Sequence, residues 1–361
     1  MKLELKSRQV CLFIIAFFPI VKIFTAPSVL SSFASNDLWI STLIILAVDF
    51  IGLLAIIYAY SHTKSDLFTL IENTLGKFWA RAVFILYFIF FFLKAIVPLN
   101  EQKDYVELTL YTLMPSKFYF LPFFAVALYL CCKRLRVLGR AADVLWAFSV
   151  LGLIVLISLS IPNADYSALL PIGANGFNSI FKASYSALNW FCDLPYLMFF
   201  IGNFRLKKGD GIKIAISFLI SVIMIVIFMI TFYSVFTSIA YRQRFALTEI
   251  SKYTAVINNI GRFDYLGIVL ILVSNIFALS LPLFFACKIL DKIFNITKKW
   301  ISPIVVVGTQ LVILLVFTRN FASIENFMKT YASAFFFIVG NILPLFLLAL
   351  VKKEKKYAKN V

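Results

Sequence analysis

Val10-Cys11-Leu12-Phe13-Ile14-Ile15-Ala16-Phe17-Phe18-Pro19-Ile20-Val21-Lys22-Ile23-Phe24-Thr25-Ala26-Pro27-Ser28-Val29-Leu30 is an apolar run long enough to cross a bilayer, yet it carries a cation and two prolines at membrane depth. A second run, about 179–204, is broken in the same way by Asn189-Trp190-Phe191-Cys192-Asp193-Leu194-Pro195. Irregular backbone inside hydrocarbon is tolerated only where it is buried in protein or lines a cavity. Interruptions at matching places in two halves point to a small-solute site of the transporter type.

The rest of the chain supports a polytopic membrane protein. Of 361 residues, 62% are hydrophobic and 14% charged, too few charges for a soluble domain of this length. Ten spans are expected, near 9–33, 38–60, 79–112, 117–132, 139–161, 179–204, 212–240, 263–287, 300–318 and 331–351. The net charge of +17 follows this layout rather than a nucleic-acid surface. Of the 34 basic residues, Lys117, Arg242, Arg244, Lys252, Arg262, Arg319 and Lys329 fall in outer segments, and Lys22, Lys94, Lys103 and Lys182 in or at spans. The other 23 collect on the inner side when both termini are cytoplasmic, as the positive-inside rule requires. The basic inner face also has some attraction for anionic lipid of the bilayer. The five cysteines lie in or beside spans without metal spacing and read as small apolar fillers.

The expected fold is an all-α integral membrane protein with ten transmembrane helices, one polytopic domain over 1–361. Two halves of five spans, about 9–161 and 179–351, have opposite topology because five is odd, giving an inverted repeat with helices one and six broken. An outer segment, 241–262, places Phe245, Leu247, Ile250, Tyr253 and Ile257 at helical spacing and reads as an amphipathic helix on the outer face. The third span is overlong. About 34 residues make ~50 Å of helix against a ~30 Å core, so it is strongly tilted, or its polar second half (Glu101, Lys103, Asp104, Glu107) runs in protein or along a vestibule.

Polar residues inside the spans are the candidate site. Lys22 lies mid-span, where a charge is a functional hypothesis by default. It pairs with Asp193, or with a ligand carboxylate, or serves as a structural ion. Phe24, Thr25 and Ala26 at the first break, and Asn189, Phe191 and Asp193 at the second, complete the expected binding set with the mid-span amide Asn275. Asp193 caps the broken helix or meets an ammonium group or a proton. Asp49, alone in an apolar run, is a proton relay or a buried hydrogen bond between helices. Lys103, Asp104 and Glu107 line a polar passage or form a solvated helix end, Lys103 and Glu107 sharing a face. Asn341 is another mid-span amide suited to interhelical bonding. Catalysis, metal and cofactors are not indicated. The single histidine, His62, is remote from any nucleophile, and there is no phosphate loop or zinc spacing.

Several stretches resemble one family. These are Lys103-Asp104-Tyr105-Val106-Glu107 ending in Leu113-Met114-Pro115; Leu135-Arg136-Val137-Leu138-Gly139-Arg140-Ala141-Ala142-Asp143; Leu169-Leu170-Pro171-Ile172-Gly173-Ala174-Asn175-Gly176; and Phe245-Ala246-Leu247-Thr248-Glu249-Ile250-Ser251-Lys252-Tyr253 leading to Gly261-Arg262-Phe263-Asp264. In this order they resemble the B-subunit of bacterial spore germinant receptors, within the amino acid–polyamine–organocation superfamily. The chain departs from the pattern where Lys22 and Phe24 replace glycines at the first break, Arg136 replaces Glu, Lys103 replaces Arg and Asp193 replaces Glu. The resemblance implies the ten-span LeuT-like fold and a spore inner-membrane sensor of an amino acid or similar nutrient. Its implied partners are two receptor subunits, one a channel-like membrane protein and one a lipoprotein. The competing expectations are a proton-coupled or exchange-type amino acid or amine transporter, and a structural or channel-forming subunit without ligand.

Overall fold

A computed structural model describes residues 5–61, 67–109, 117–201, 203, 206–252, 264–317 and 321–347; within these, the side chains of 67, 70, 97, 100, 103, 106–109, 117–120, 201, 264–278, 317, 321 and 322 are outside the description. The described chain is helical throughout its regular parts: α1 (Ser7–Phe24), α2 (Ala26–Ala34), α3 (Leu38–Ser61), α4 (Leu67–Thr109), α5 (Lys117–Cys132), α6 (Leu135–Ser160), α7 (Gly176–Ser186), α8 (Leu194–Ile201), α9 (Asp210–Phe236), α10 (Ala246–Lys252), α11 (Asp264–Phe294), α12 (Ile301–Phe317), α13 (Phe321–Thr330) and α14 (Ala332–Phe337), which runs on through a π-turn, Ile338–Ile342.

Among the described residues, five stretches are long and apolar enough to cross a bilayer: Ser7–Phe24, Ala26–Ser61, Ile71–Ile96, Leu135–Asn163 and Asp210–Arg242. Ser323–Thr330 with Ala332–Leu347 makes a sixth if the pair, bent by 51°, is one span. The outward faces of α3, α6 and α9 expose Ile51, Val144, Leu151 and Ile223. An apolar belt of that kind is covered by lipid, and the protein is an integral membrane protein.

Proline chemistry explains the interruptions. Pro27 has no N–H for Ile23 O, four residues back, and α1 stops at Phe24 before α2 restarts at Ala26. Pro195 likewise cannot serve Phe191 O. The chain ends α7 at Ser186, turns through residues 187–190, has no regular structure over 191–193 and restarts as α8. This interruption begins about two residues before the one read from sequence. α1 packs against α6, α9 and α11, and residues 186–200 around the second interruption are buried, so both interruptions lie in the interior.

The overlong third helix starts earlier than expected, at Leu67, with a non-helical Gly76 (φ 80°), and of its polar second half Glu101 (2% exposed) and Gln102 (3%) are inside the protein, one of the two alternatives expected. One expectation changes. The outer segment does not lie on the surface by its apolar face. Its described helix is only Ala246–Lys252, and Phe245, Leu247 and Ile250 are buried in the protein core, so a pattern that suits an interface here suits a core. Tyr253 and Ile257 lie outside the described residues, as does His62.

Candidate functional site

Three ammonium and carboxylate groups meet at the second interruption. Lys22 from α1 pairs through Nζ with Asp193 Oδ2, and Lys94 from α4 lies 3.1 Å from Asp193 Oδ1. All three are buried. Lys94 Nζ also donates to Phe191 O and, at 3.1 Å, to Cys192 O. The carbonyl that Pro195 leaves without a helical donor is therefore taken by a lysine. Lys22 Nζ reaches Phe18 O at 3.4 Å. Aromatic faces flank both cations: Phe18 and Phe191 lie 4.9 and 5.6 Å from Lys22 Nζ, Phe90 and Tyr196 5.5 and 5.2 Å from Lys94 Nζ. A buried charge needs such company, because desolvation is expensive unless the group is paired and hydrogen-bonded.

Asp49, fully buried on α3, adds a second carboxylate. Its Oδ2 accepts from Asp193 N at 3.4 Å. The Asn341 amide, in the orientation that satisfies both its ends, donates to Asp49 Oδ1 at 3.1 Å. Two lysines thus face two aspartates. The backbone between them is held tightly. Cys192 has φ 61°, unusual for a side-chain-bearing residue. A Cβ on Gly340 would stand 2.7 Å from Cys192 Cβ, and one on Gly52 would stand 2.2 Å from a Leu194 methyl, so glycine alone lets the π-turn and α3 approach.

Beside this cluster is a cavity of about 40 Å³, measured as the space open to the centre of a water molecule. That is room for about three waters, at ~10–15 Å³ each. Lys22, Lys94, Asp193 and Asn189 supply its polar wall; Phe17, Phe18, Trp190, Tyr196 and Leu281 are among its apolar lining. Asn189 is 1% exposed, and neither Oδ1 nor Nδ2 has a hydrogen-bond partner among the described residues. A buried amide left in this way is costly, at ~1–3 kcal/mol per unsatisfied group.

Of the residues expected from sequence, the structure brings Lys22, Asn189 and Asp193 to the cavity wall. Phe191 is beneath Lys22 but contributes no lining. Phe24, Thr25 and Ala26 are buried on the outer side of the cavity instead of lining it. Phe24 packs on Tyr105 and Phe245 with ring centroids 5.5 and 5.3 Å away, and Thr25 bonds Glu101. Asp104 is in an outer ion network with Arg244, 2.8 Å away. The side chains of Lys103, Glu107 and Asn275 lie outside the described residues. Lys94, Glu101 and Arg244 were not singled out from sequence. The mid-span rule that marked Lys22 applies equally to Lys94, which sits in Phe90-Phe91-Phe92-Leu93-Lys94-Ala95-Ile96.

The fold matches solved transporters. MhsT in complex with L-phenylalanine aligns with TM-score 0.61 at 14% identity, covering 97% of this chain and 90% of that one. The Eremococcus coleocola manganese transporter, in complex with an aromatic bis-isothiourea substituted compound, aligns at 0.54 and 13% identity, covering 94% and 78%. A point variant of that transporter aligns at 0.59 and 12%, covering 94% and 77%. These are LeuT-fold proteins, and at this identity the likeness shows the fold alone. Among the described residues, no group of three or more His, Cys, Asp or Glu side chains is arranged to hold a metal ion. None of the curated proteins compared matches the chain. The family and fold relatives are permease-like and not enzymes. The sequence signature of spore germination proteins matches residues 4–322, and the chain belongs to that family of transporter-like membrane proteins.

Proposed function

We propose that this chain is the nutrient-sensing membrane subunit of a spore germinant receptor, binding an amino acid or similar small solute between the two interrupted helices. The observation that carries the reading is Asn189. Its buried amide offers an unused donor and an unused acceptor at a cavity whose wall also holds Lys22 and Asp193. A zwitterion supplies the complement: its carboxylate for Lys22 and the Asn189 NH₂, its ammonium for Asn189 Oδ1, and its side chain for the aromatic wall. MhsT, of the same fold, is described as binding L-phenylalanine, which favours this ligand class. Phe24, Thr25, Ala26, Phe191 and Asn275 belong to the shell around the ligand in this reading, and Asp49, Lys103, Asp104 and Glu107 to a polar pathway or structural ion network.

The same reading takes the chain as one domain of ten spans, an inverted repeat of 9–161 and 179–351 with spans one and six broken, both termini cytoplasmic, in the spore inner membrane. Two further subunits, one channel-like and one a lipoprotein, read the ligand through a shift between closed and open forms. That shift is limited to the ligand's differential affinity for the two.

The test is a thermal-shift screen of detergent-purified protein against the natural amino acids, nucleosides and sugars, with uptake into proteoliposomes for each hit. A ligand that binds only the folded protein raises its melting temperature. The expected result is a hit with an amino acid, lost in Asn189→Leu, without gradient-driven uptake. The solved transporters of this fold favour a second reading, a proton-coupled or exchange-type amino acid or amine transporter. Gradient-driven uptake of the hit would establish it.

A further inference from the structure

Above the cavity, Glu101 of α4 joins both interruptions. Its Oε1 accepts from the Thr25 hydroxyl at 2.6 Å and from Trp190 Nε1 at 3.2 Å. Thr25 is the residue between α1 and α2; Trp190 lies in the turn before α8. The carboxyl is 2% exposed and has no ion-pair partner among the described residues.

The described cations around it already have carboxylate partners. Below, Lys22 and Lys94 face Asp193 and Asp49. Outside, Arg244 lies 2.8 Å from Asp104 and 3.5 Å from Glu325, and Lys329 lies 2.6 Å from Glu325 while its Nζ stands 5.8 Å from the Trp190 ring. The described charged groups that act on Glu101 are Glu325, Arg244 and Lys329, two of them cations already spent on carboxylates. An ionised Glu101 would be a buried charge with no ion-pair partner among the described residues, a state that buried groups avoid by taking up a proton.

We propose that Glu101 is a proton-binding site whose occupancy is tied to closure of the outer layer. With Oε1 holding two donors, the proton sits on Oε2. When Arg244, Phe245 and Phe24 move apart, water reaches the carboxyl and the proton leaves to the outside. Where the closed form holds the proton and the open form does not, each unit rise in pH moves the closed-to-open ratio tenfold towards open. The site deepens the function proposed above by naming a coupling ion, and it rests on that reading only for the word coupling.

The test is infrared spectroscopy of the purified full chain at neutral pH without any ligand. The expected result is a carbonyl stretch of a protonated carboxylic acid that vanishes in Glu101→Gln and persists in Asp49→Asn. A wild-type spectrum lacking the band, or a band intact in Glu101→Gln, would overturn the site. Should Glu101→Gln fail to fold, Thr25→Val and Trp190→Phe each remove one donor and shift the band; no shift in either would overturn it too. Arg244→Gln then tests the link to closure. By charge alone, losing a cation favours the proton and strengthens the band. Opening the layer admits water and weakens it. A weakened band supports the link; an unchanged or stronger one overturns it. Because no ligand is used, failure here leaves the sensing reading untouched, and an unsuccessful ligand screen leaves the band untouched.

Discussion

The inner and outer ion clusters of this protein use similar residues to opposite ends. Lys22, Lys94 and Asp193 have side chains 2–6% exposed, walled by rings and tied to backbone carbonyls. Arg244, Asp104, Glu325 and Lys329 are 17–43% exposed. A buried network cannot lose a partner without stranding a charge, whereas a half-exposed one exchanges its partners with water at little cost. The inner cluster is therefore built to stay and the outer one to part.

The comparison breaks most sharply at Asp193. Asp193→Asn leaves two buried ammonium groups facing one remaining carboxylate. It is expected to cost ~3–5 kcal/mol, read as a large drop in melting temperature or in folded protein in the membrane. A variant as stable as wild type would mean that the cluster is hydrated and that the contrast is false. Gly340→Ala comes next, at ~1–3 kcal/mol for overpacking, because its Cβ would meet Cys192 Cβ at 2.7 Å. Adding Cys192→Gly removes that atom and suits the positive φ, so the double variant should recover most of the lost melting temperature; no recovery would place the strain elsewhere.

Lys22→Met sharpens the functional side. Asp193 keeps Lys94, so the protein is expected to fold and insert while its thermal shift with any amino acid hit disappears. A normal dose response would remove Lys22 from the binding site. Smallest is Arg244→Gln, expected to change the melting temperature by the equivalent of ~0–1 kcal/mol. Raising salt towards 1 M, where the screening length falls to ~3 Å, should reproduce that small effect in wild type. A salt effect as large as that of Asp193→Asn would show that the outer layer is not the loose one.

What could be read in the sequence follows the same division. The interruptions were legible because Pro27 and Pro195 each deny a donor to a particular carbonyl, and Lys22 and Asp49 stood out as charges in apolar runs. Lys94 obeys the same rule, and Pro98 denies a donor to its carbonyl, but the helix runs on through that proline, so no break marks the site. Glu101 was legible only as part of the polar second half of an overlong helix, because hydropathy along one helix does not reveal that Thr25 and Trp190 close over it. The segment 245–252 shows the same limit. Helical periodicity finds an apolar face without saying whether lipid or protein will cover it. Contacts between distant segments, such as Gly340 with Cys192, leave no trace in either stretch alone.

The narrowness of the cavity has a consequence for time rather than for affinity. With room for about three waters, it admits no larger solute until side chains move. Association is then a two-step process in which widening precedes or accompanies entry. At low concentration the observed rate rises with ligand; at high concentration it levels off at the rate of widening itself. A plateau in stopped-flow traces would clock that motion directly, and the scarcity of the widened form would set how far apparent affinity falls below the intrinsic one. On the sensing function proposed above, a protein built this way ignores brief encounters and answers to sustained supply.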